Sequence, residues 1–381
     1  MKICIVSDTF IAGGAEWFTL RLAESLQKQN NTVKIFVLRS DLVVKSIVKQ
    51  FPTITIIGLP AWLTRIIFFI DRGQKQFSGR YLLLDWANSI FLRQQFEKFK
   101  PDVIHSHLLN VDVVVVRANS RLQARHVVTI HGDYIEFIKR KDERKIKLSL
   151  AVLNKVDGIV IISEEQRELL SSTFPFHQKK IEKIYNGYPE PVADKFKKER
   201  VTHVAAFNFG LIARGIPEKG WEPSIKAFLL LNRSETKLLL WGEGEHINKL
   251  KERYSDGRIE FRGFTNAPLQ AIAELDCGLF PSYYPSESLP TTIIEYLLMK
   301  KPIIATAVGE IPRMMKAGNE LAGILLSTVD PHKTVPGLKT AMESMLDDKF
   351  QYNRYKQIAG EAFKKFTMDD CVQAYMKVYK K

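Results

Sequence analysis

From Lys2 to Leu326 the chain repeats one pattern: a short apolar run, then a longer charged segment with apolar residues at helical spacing. Strands covered by helices on both faces read as such runs, and a strand followed by a crossover helix re-enters a parallel sheet. The runs form two sets. The first is Lys2–Ser7, Val33–Leu38, Thr53–Ile57, Val103–His105, Val127–Ile130 and Gly158–Ile162. The second is Ala205–Leu211, Lys237–Trp241, Ile259–Phe261, Cys277–Phe280, Pro302–Ala305 and Gly323–Leu326. Two doubly wound α/β, Rossmann-like domains are expected.

Between the sets lie the turn residues Tyr185-Asn186-Gly187-Tyr188-Pro189-Glu190-Pro191 and the charged run Asp194 to Arg200, the composition of a linker. The expected division is an N-terminal domain over 1–190, a C-terminal domain over 200–355 and a helical segment over 356–381. In that last segment Ile358, Ala362, Phe366, Val372, Tyr375 and Tyr379 recur among lysines as an amphipathic helix that can pack back on either domain, a return to the N-terminal one being the candidate arrangement. In such folds ligands bind outside the carboxyl ends of the strands, so the reaction is expected in a cleft across which the two domains face each other.

Charge narrows the partners. Of the net +14, residues 1–200 contribute 32 Lys+Arg against 21 Asp+Glu, so most of the excess lies in the first half. A basic half suits nucleic acid, an anionic membrane surface or a phosphorylated substrate. Nucleic acid is disfavoured because no basic run is interleaved with a stacking platform. The start of the chain has no secretory pattern, and the longest apolar stretch, Ile54 to Ile70, is broken by Pro60, Thr64 and Arg65, so neither export nor a transmembrane helix is expected. Cys4, Cys277 and Cys371 lie far apart without metal-ligand spacing, which fits a reducing cytosol.

The strongest chemical signal follows the run Cys277–Phe280. A loop carries Glu287, a helix is expected to open with Pro290 at its first position, and Glu295 stands about 7.5 Å further along its axis. The N–H groups of Leu289, Thr291 and Thr292 are then free to hold a phosphate, Glu295 can accept from two vicinal ribose hydroxyls, and Glu287 from hydroxyls of a transferred sugar. The alternative is a solvated pair of glutamates flanking a helix. Arg214 and Lys219, five apart after the run Ala205–Leu211, are candidates for an anionic leaving group or are surface charge around a turn. Gly13 and Gly14 open a helix after Lys2–Ser7, where an anion is favoured, or merely make a tight turn. His131 ends a strand. His105 and His107, two apart, read as cleft lining or core, with a metal site only a slight alternative.

The passage Phe280 to Glu295 resembles the Glu-x7-Glu motif of the retaining, GT-B-fold glycosyltransferases of family 4, and Tyr296-Leu297-Leu298-Met299-Lys300-Lys301-Pro302 through Gly309-Glu310-Ile311-Pro312 continues the likeness over nearly the whole chain. Ser288 departs from the family's Gly, and Lys300 from a small residue. The resemblance implies that Arg214 and Lys219 hold the diphosphate of a nucleotide-sugar, that Arg262 and Gly263 contact the nucleobase through the backbone, that Gly13 and Gly14 close over the donor, and that His131 touches the transferred sugar or acceptor. It implies no metal and no other cofactor, and no Asp-x-Asp sequence is present. Retention by a front-face route is expected, with a glycan or lipid-linked acceptor in cell-surface polysaccharide or lipopolysaccharide synthesis. A nucleotide-sugar epimerase or phosphorylase on the same fold, or a non-catalytic sugar-binding protein, are the rival readings. Residues 59–100 combine Trp62, Ile66, Ile67, Phe68, Phe69, Phe77 and Phe91 with Arg65, Arg72, Lys75, Arg80 and Arg93, the look of an interfacial segment or of a core helix with a solvated face. A cytoplasmic protein, peripheral on the inner face of the membrane on the interfacial reading, is the expectation.

Overall fold

The structure, a computed structural model, describes residues 1–11, 13–78, 81–122, 124–174, 180–190, 206–327 and 330–381, with backbone alone at 74–78. Ala12, Arg80, the run Asp194 to Arg200, Ala205 and the side chains of Lys75 and Phe77 therefore lie outside the described residues. The chain divides into two compact units, Met1–Tyr188 with Met368–Lys381, and Pro189–Thr367.

In the first unit the strands are β1 (Lys2–Ser7), β2 (Thr32–Val37), β3 (Ile56–Ile57), β4 (Val103–His107), β5 (Arg125–Ile130), β6 (Gly158–Ile161) and β7 (Ile181–Lys183). They form one parallel sheet in the order β3-β2-β1-β4-β5-β6-β7. Side chains alternate between its faces. Ile3 and Ile5 enter a core with helix Gly14–Lys28 and the C-terminal helix, while Cys4 and Val6 enter another with helices Leu82–Phe99 and Leu109–Asn119. Two expectations shift here. β3 is two residues long rather than five, and β7 is an edge strand of three residues, too short to show as an apolar run.

In the second unit β8 (Phe207–Ile212), β9 (Thr236–Trp241), β10 (Ile259–Gly263), β11 (Cys277–Phe280), β12 (Ile303–Thr306), a small antiparallel hairpin of β13 (Lys316–Ala317) and β14 (Glu320–Leu321), and β15 (Gly323–Leu326) follow in sequence. The parallel sheet runs β10-β9-β8-β11-β12-β15. Trp221, Ile225 and Phe228 of helix Trp221–Leu231 pack with Phe209, Leu211, Leu338 and Met342 on one of its faces.

The segment 356–381 is not one helix. Helix Lys349–Phe363 ends in a 3-10 turn, Lys364–Phe366, and belongs to the second unit; a new helix, Met368–Lys380, returns to the first. Its buried Met368, Cys371, Val372, Tyr375, Val378 and Tyr379 keep helical spacing against β1, β4 and β5. Among the described residues no helix is long and apolar enough to cross a membrane.

Candidate active site

In the second unit the chemistry gathers where β8 and β11 end. The chain leaves β8 through Arg214, makes a 3-10 turn over Pro217–Lys219 and enters helix Trp221–Leu231 at Gly220, whose φ of +77° favours glycine. A side chain at Gly220 would also overlap the Pro281 carbonyl, so the two loops touch along their backbones. Tyr283 N–H donates to the Glu218 carbonyl at 2.8 Å, tying them further.

Across this junction Lys219 Nζ meets Glu287 Oε2 at 2.5 Å, with both side chains buried. Ser282 Oγ donates to the same oxygen at 2.8 Å. Burial lowers the Lys219 ammonium from the ordinary lysine range, opposed by the Glu287 charge. Tyr284 lies beneath the cations, its ring centre 4.9 Å from Lys219 Nζ and 5.5 Å from the exposed Arg214 guanidinium. The indole N–H of Trp221 donates to the Arg214 carbonyl at 2.9 Å, fixing the backbone from which Arg214 reaches outward.

Beyond Glu287, helix Thr291–Leu298 begins one residue later than expected: Pro290 is the N-cap, with ψ 118°, not the first helical residue. The backbone N–H groups of Leu289, Thr291 and Thr292 find no acceptor among the described residues, as expected of a helix start open to an anion. Glu295 is buried on this helix. Arg262 sits at a bulge in β10, out of the ladder with β9, and its side chain pairs with Glu260 at 2.5 Å; the Gly263 carbonyl is taken by Gly242 N–H at 2.9 Å. Of the two, only Arg262 keeps its backbone out of the ladder.

Sequence reasoning gave no role to Ser282, Tyr284 or Gly309. The first two sit inside the motif passage, but which carboxylate oxygen or cation they touch depends on how the loop folds. Gly309 has φ +56°, and a Cβ there would overlap the Glu287 carbonyl oxygen. Glu310 N–H donates to the Ser288 carbonyl at 3.2 Å, so the strand β12 exit clasps the Glu287 loop.

The remaining candidates belong to the first unit. Gly13 caps helix Gly14–Lys28 in extended conformation, and the Glu16 carboxylate folds over it, held by Thr9 Oγ1 at 3.0 Å. The anion at this helix start is thus the chain's own carboxylate, raised in pKa by burial. Phe18 of the same helix packs edge-on against His131, ring centres 6.1 Å apart, bringing the two candidate segments together. His131 is half-buried, with Nε2 bonded to His107 Nδ1 at 2.9 Å, and burial lowers it to about 4; as a neutral ring it can accept or donate a hydrogen bond but carries no charge near neutrality.

His105 and His107 share a face but line no open site; both are core residues. His105 Nε2 is 2.7 Å from the Thr129 hydroxyl and its Nδ1 is 2.7 Å from the hydroxyl of Tyr379 in the C-terminal helix, each a hydrogen bond. Ser106, pointing the other way, donates to Asp112 at 2.6 Å and contacts His126 at 2.7 Å, while Tyr134 also donates to Asp112. Desolvation raises Asp112 to about 8. No group of three metal-ligating side chains occurs among the described residues.

Residues 12–190 match the family described as Glycosyltransferase Family 4, and residues 206–348 the family described as Glycosyl transferases group 1. An uncharacterized glycosyltransferase of Methanocaldococcus jannaschii is 24% identical over 73% of this chain and 75% of its own length. The O-antigen chain mannosyltransferase C of Escherichia coli is 24% identical over 78% and 81%. Anabaena HepE, solved with UDP, superposes with a TM-score of 0.75 at 16% identity over 99% of both chains. With both halves matched and two parallel Rossmann-like sheets of the GT-B type, the chain belongs to the family 4, group 1 glycosyltransferases.

Proposed function

We propose that the protein is a retaining glycosyltransferase that moves a sugar from a nucleotide-sugar to a glycan or lipid-linked acceptor, in cell-surface polysaccharide or lipopolysaccharide synthesis on the cytoplasmic side. One observation carries the reading: the buried Lys219–Glu287 pair, with Arg214 beside it, stands against a helix start whose N–H groups are open. Cations and oriented N–H donors converging on one spot suit a leaving group whose negative charge grows as its bond breaks. The UDP held by HepE and the O-antigen chemistry of the E. coli relative support a nucleoside diphosphate and a cell-surface product.

In the proposed step the bond between the anomeric carbon and the β-phosphate oxygen breaks, the acceptor oxygen bonds to that carbon on the same face, and the acceptor proton passes to the departing phosphate. Arg214, Lys219 and the N–H groups of Leu289, Thr291 and Thr292 stabilise the diphosphate. Glu287 orients Lys219 and accepts from sugar hydroxyls, Glu295 accepts from the ribose, Arg262 and Gly263 meet the base, and His131, Gly13 and Gly14 are the first unit's candidates for contacting the donor or acceptor. No metal is required, since the protein's own cations face the diphosphate.

The test is a panel of nucleotide-sugars and glycan or lipid-linked acceptors, with products identified by mass spectrometry and the new linkage by NMR, in the presence of a chelator. The reading expects a product with the donor's anomeric configuration and a rate unaffected by chelation. Inverted product, a chelator-abolished rate, or tight donor binding without turnover across the panel would overturn it.

A further inference from the structure

Helices Ala61–Ser78 and Leu82–Phe99 bury polar side chains and leave large apolar ones exposed, although Leu84, Leu92 and Phe96 of the second are also buried. On the first, Thr64 and Asp71 are fully buried, whereas Trp62 is 65% and Phe69 74% exposed, with Ile66 and Ile70 exposed as well. On the second, Asp85, Asn88 and Ser89 are buried, while Leu82, Leu83, Ile90 and the 63% exposed Trp86 face out. The buried polar groups are held in place: Ser40 Oγ contacts Thr64 Oγ1 at 2.9 Å, Leu84 N–H donates to Asp71 at 3.0 Å, and Asn88 donates to the Leu38 carbonyl at 3.3 Å. The apolar face is therefore fixed outward by bonds on the opposite side, and two neighbouring helices contribute to one apolar patch of a kind that monomers rarely expose.

The surrounding charge selects its occupant. From Ala61 to Phe99 the acidic residues are the buried Asp71 and Asp85 and, near the end of the second helix, the exposed Glu97 next to the exposed Lys98, whereas Arg65 and Arg72 are exposed among the apolar residues. Aromatic and aliphatic side chains flanked by arginines, with no exposed acid between Ala61 and Phe96, fit an anionic bilayer surface, where the rings insert at the headgroup level and the cations meet lipid phosphates. A two-fold contact between copies would instead bring two such arginine sets together. The patch is rooted at the carboxyl edge of the first sheet: Ser40, just past β2, donates to the Leu59 carbonyl at 2.6 Å, and the Arg39 guanidinium lies 3.7 Å from the Phe68 ring centre. That is the edge at which doubly wound sheets take their ligands.

We infer that the paired helices Ala61–Ser78 and Leu82–Phe99 form the docking face for an anionic lipid bilayer. The acceptor, on the glycosyltransferase reading above, is accordingly one that resides in that bilayer. The docking itself is measured without any transfer reaction, so it stands or falls separately from the catalytic reading.

The full-length protein is floated with phosphatidylcholine vesicles, with and without phosphatidylglycerol, at low and high salt. Flotation is expected on the anionic vesicles alone and to decline with salt. Trp62→Ser/Phe69→Ser/Trp86→Ser and Arg65→Gln/Arg72→Gln should each reduce partitioning by about ten-fold or more, with circular dichroism unchanged. Brominated lipid should quench the wild-type tryptophan emission and lose most of that effect in Trp62→Phe/Trp86→Phe, which retains the aromatic surface. Absence of flotation by the folded protein, equal flotation of the serine variant, or a dimer that the serine variant abolishes would overturn the inference.

Discussion

Breaking the Lys219–Glu287 pair separates its structural role from its catalytic one. Both side chains are only 8% exposed and 2.5 Å apart, so solvent screens them little. At an effective dielectric of about 20 their attraction is roughly 6–7 kcal/mol, comparable with what burying two ions costs, so the intact pair is nearly neutral for stability. Removing one partner is different. Lys219→Met leaves the Glu287 carboxylate buried, with the Ser282 hydroxyl donating to it at 2.8 Å but no cation beside it, and should cost about 3–5 kcal/mol. Glu287→Gln should cost less, because burial has already lowered Lys219, which can shed its proton once the counter-charge is gone. The double variant should regain most of the Lys219→Met loss, because an amide needs no cation. Hydrogen exchange of the β8 and β11 amides reads the opening free energy of this sheet. Donor turnover should nevertheless fall about 10²–10³-fold in Lys219→Met and in the double variant alike, since both lack the cation facing the diphosphate. Stability effects that add within about 0.5 kcal/mol would show that the two groups are not coupled, and recovery of turnover in the double variant would remove Lys219 from catalysis.

Glu295→Gln should weaken nucleotide-sugar binding about ten-fold, through loss of charge-assisted bonds, as measured by calorimetry; unchanged affinity would take Glu295 out of the donor site. Gly309→Ala places a Cβ against the Glu287 carbonyl at a φ of +56°, so it should destabilise the second unit by at least about 1–2 kcal/mol and lower kcat/KM with it; wild-type kinetics would mean that the Glu287 loop tolerates displacement. The buried histidines give the first unit an acid limit. His105 is held at about 3, His126 and His131 at about 4, and His107 well below its ordinary value, all mainly by burial. Because these folded values lie below 6.5, their contribution is complete above that pH and lost as pH falls toward about 4. Asp8, raised to about 6, and Asp112, raised to about 8, act oppositely over the same range, as do Glu16 and Asp133. Because the four rings together outnumber the acids fully protonated in the fold, unfolding near pH 5 is expected to take up protons and stability to decline as the pH falls. Urea melts at pH 7 and 5 should show that loss, and a flat profile would contradict the burial of the four rings.

Sequence alone reveals contacts that are local and hides those that depend on distant chain. β1, β11 and β15 have the expected ends because each apolar run is bounded by turn residues or charge. The Glu287 loop and Arg214–Lys219 turn were legible because their chemistry lies within short loops after strands. The break in 356–381 was not, since apolar spacing continues through the 3-10 turn at Lys364–Phe366 while the chain changes units. His105 could be placed on a strand, but its partner Tyr379 is 274 residues away, so nothing nearby distinguished a core histidine from one lining a site. The two helices between Ala61 and Phe99 make the same point in reverse. Their apolar residues are periodic, and periodicity names a face without saying which way it turns. Ser40 and the Leu84 N–H decide that by giving Thr64 and one carboxylate oxygen of Asp71 buried hydrogen bonds, and a polar side chain so held can occupy the inside while tryptophan and phenylalanine take the outside. The interfacial reading of this segment thus depends on a few inward hydrogen bonds: Asp71→Leu, by removing one while leaving a buried side chain of similar size there, should loosen the hold on the outward face and lower vesicle flotation even though every exposed residue of the patch is unchanged.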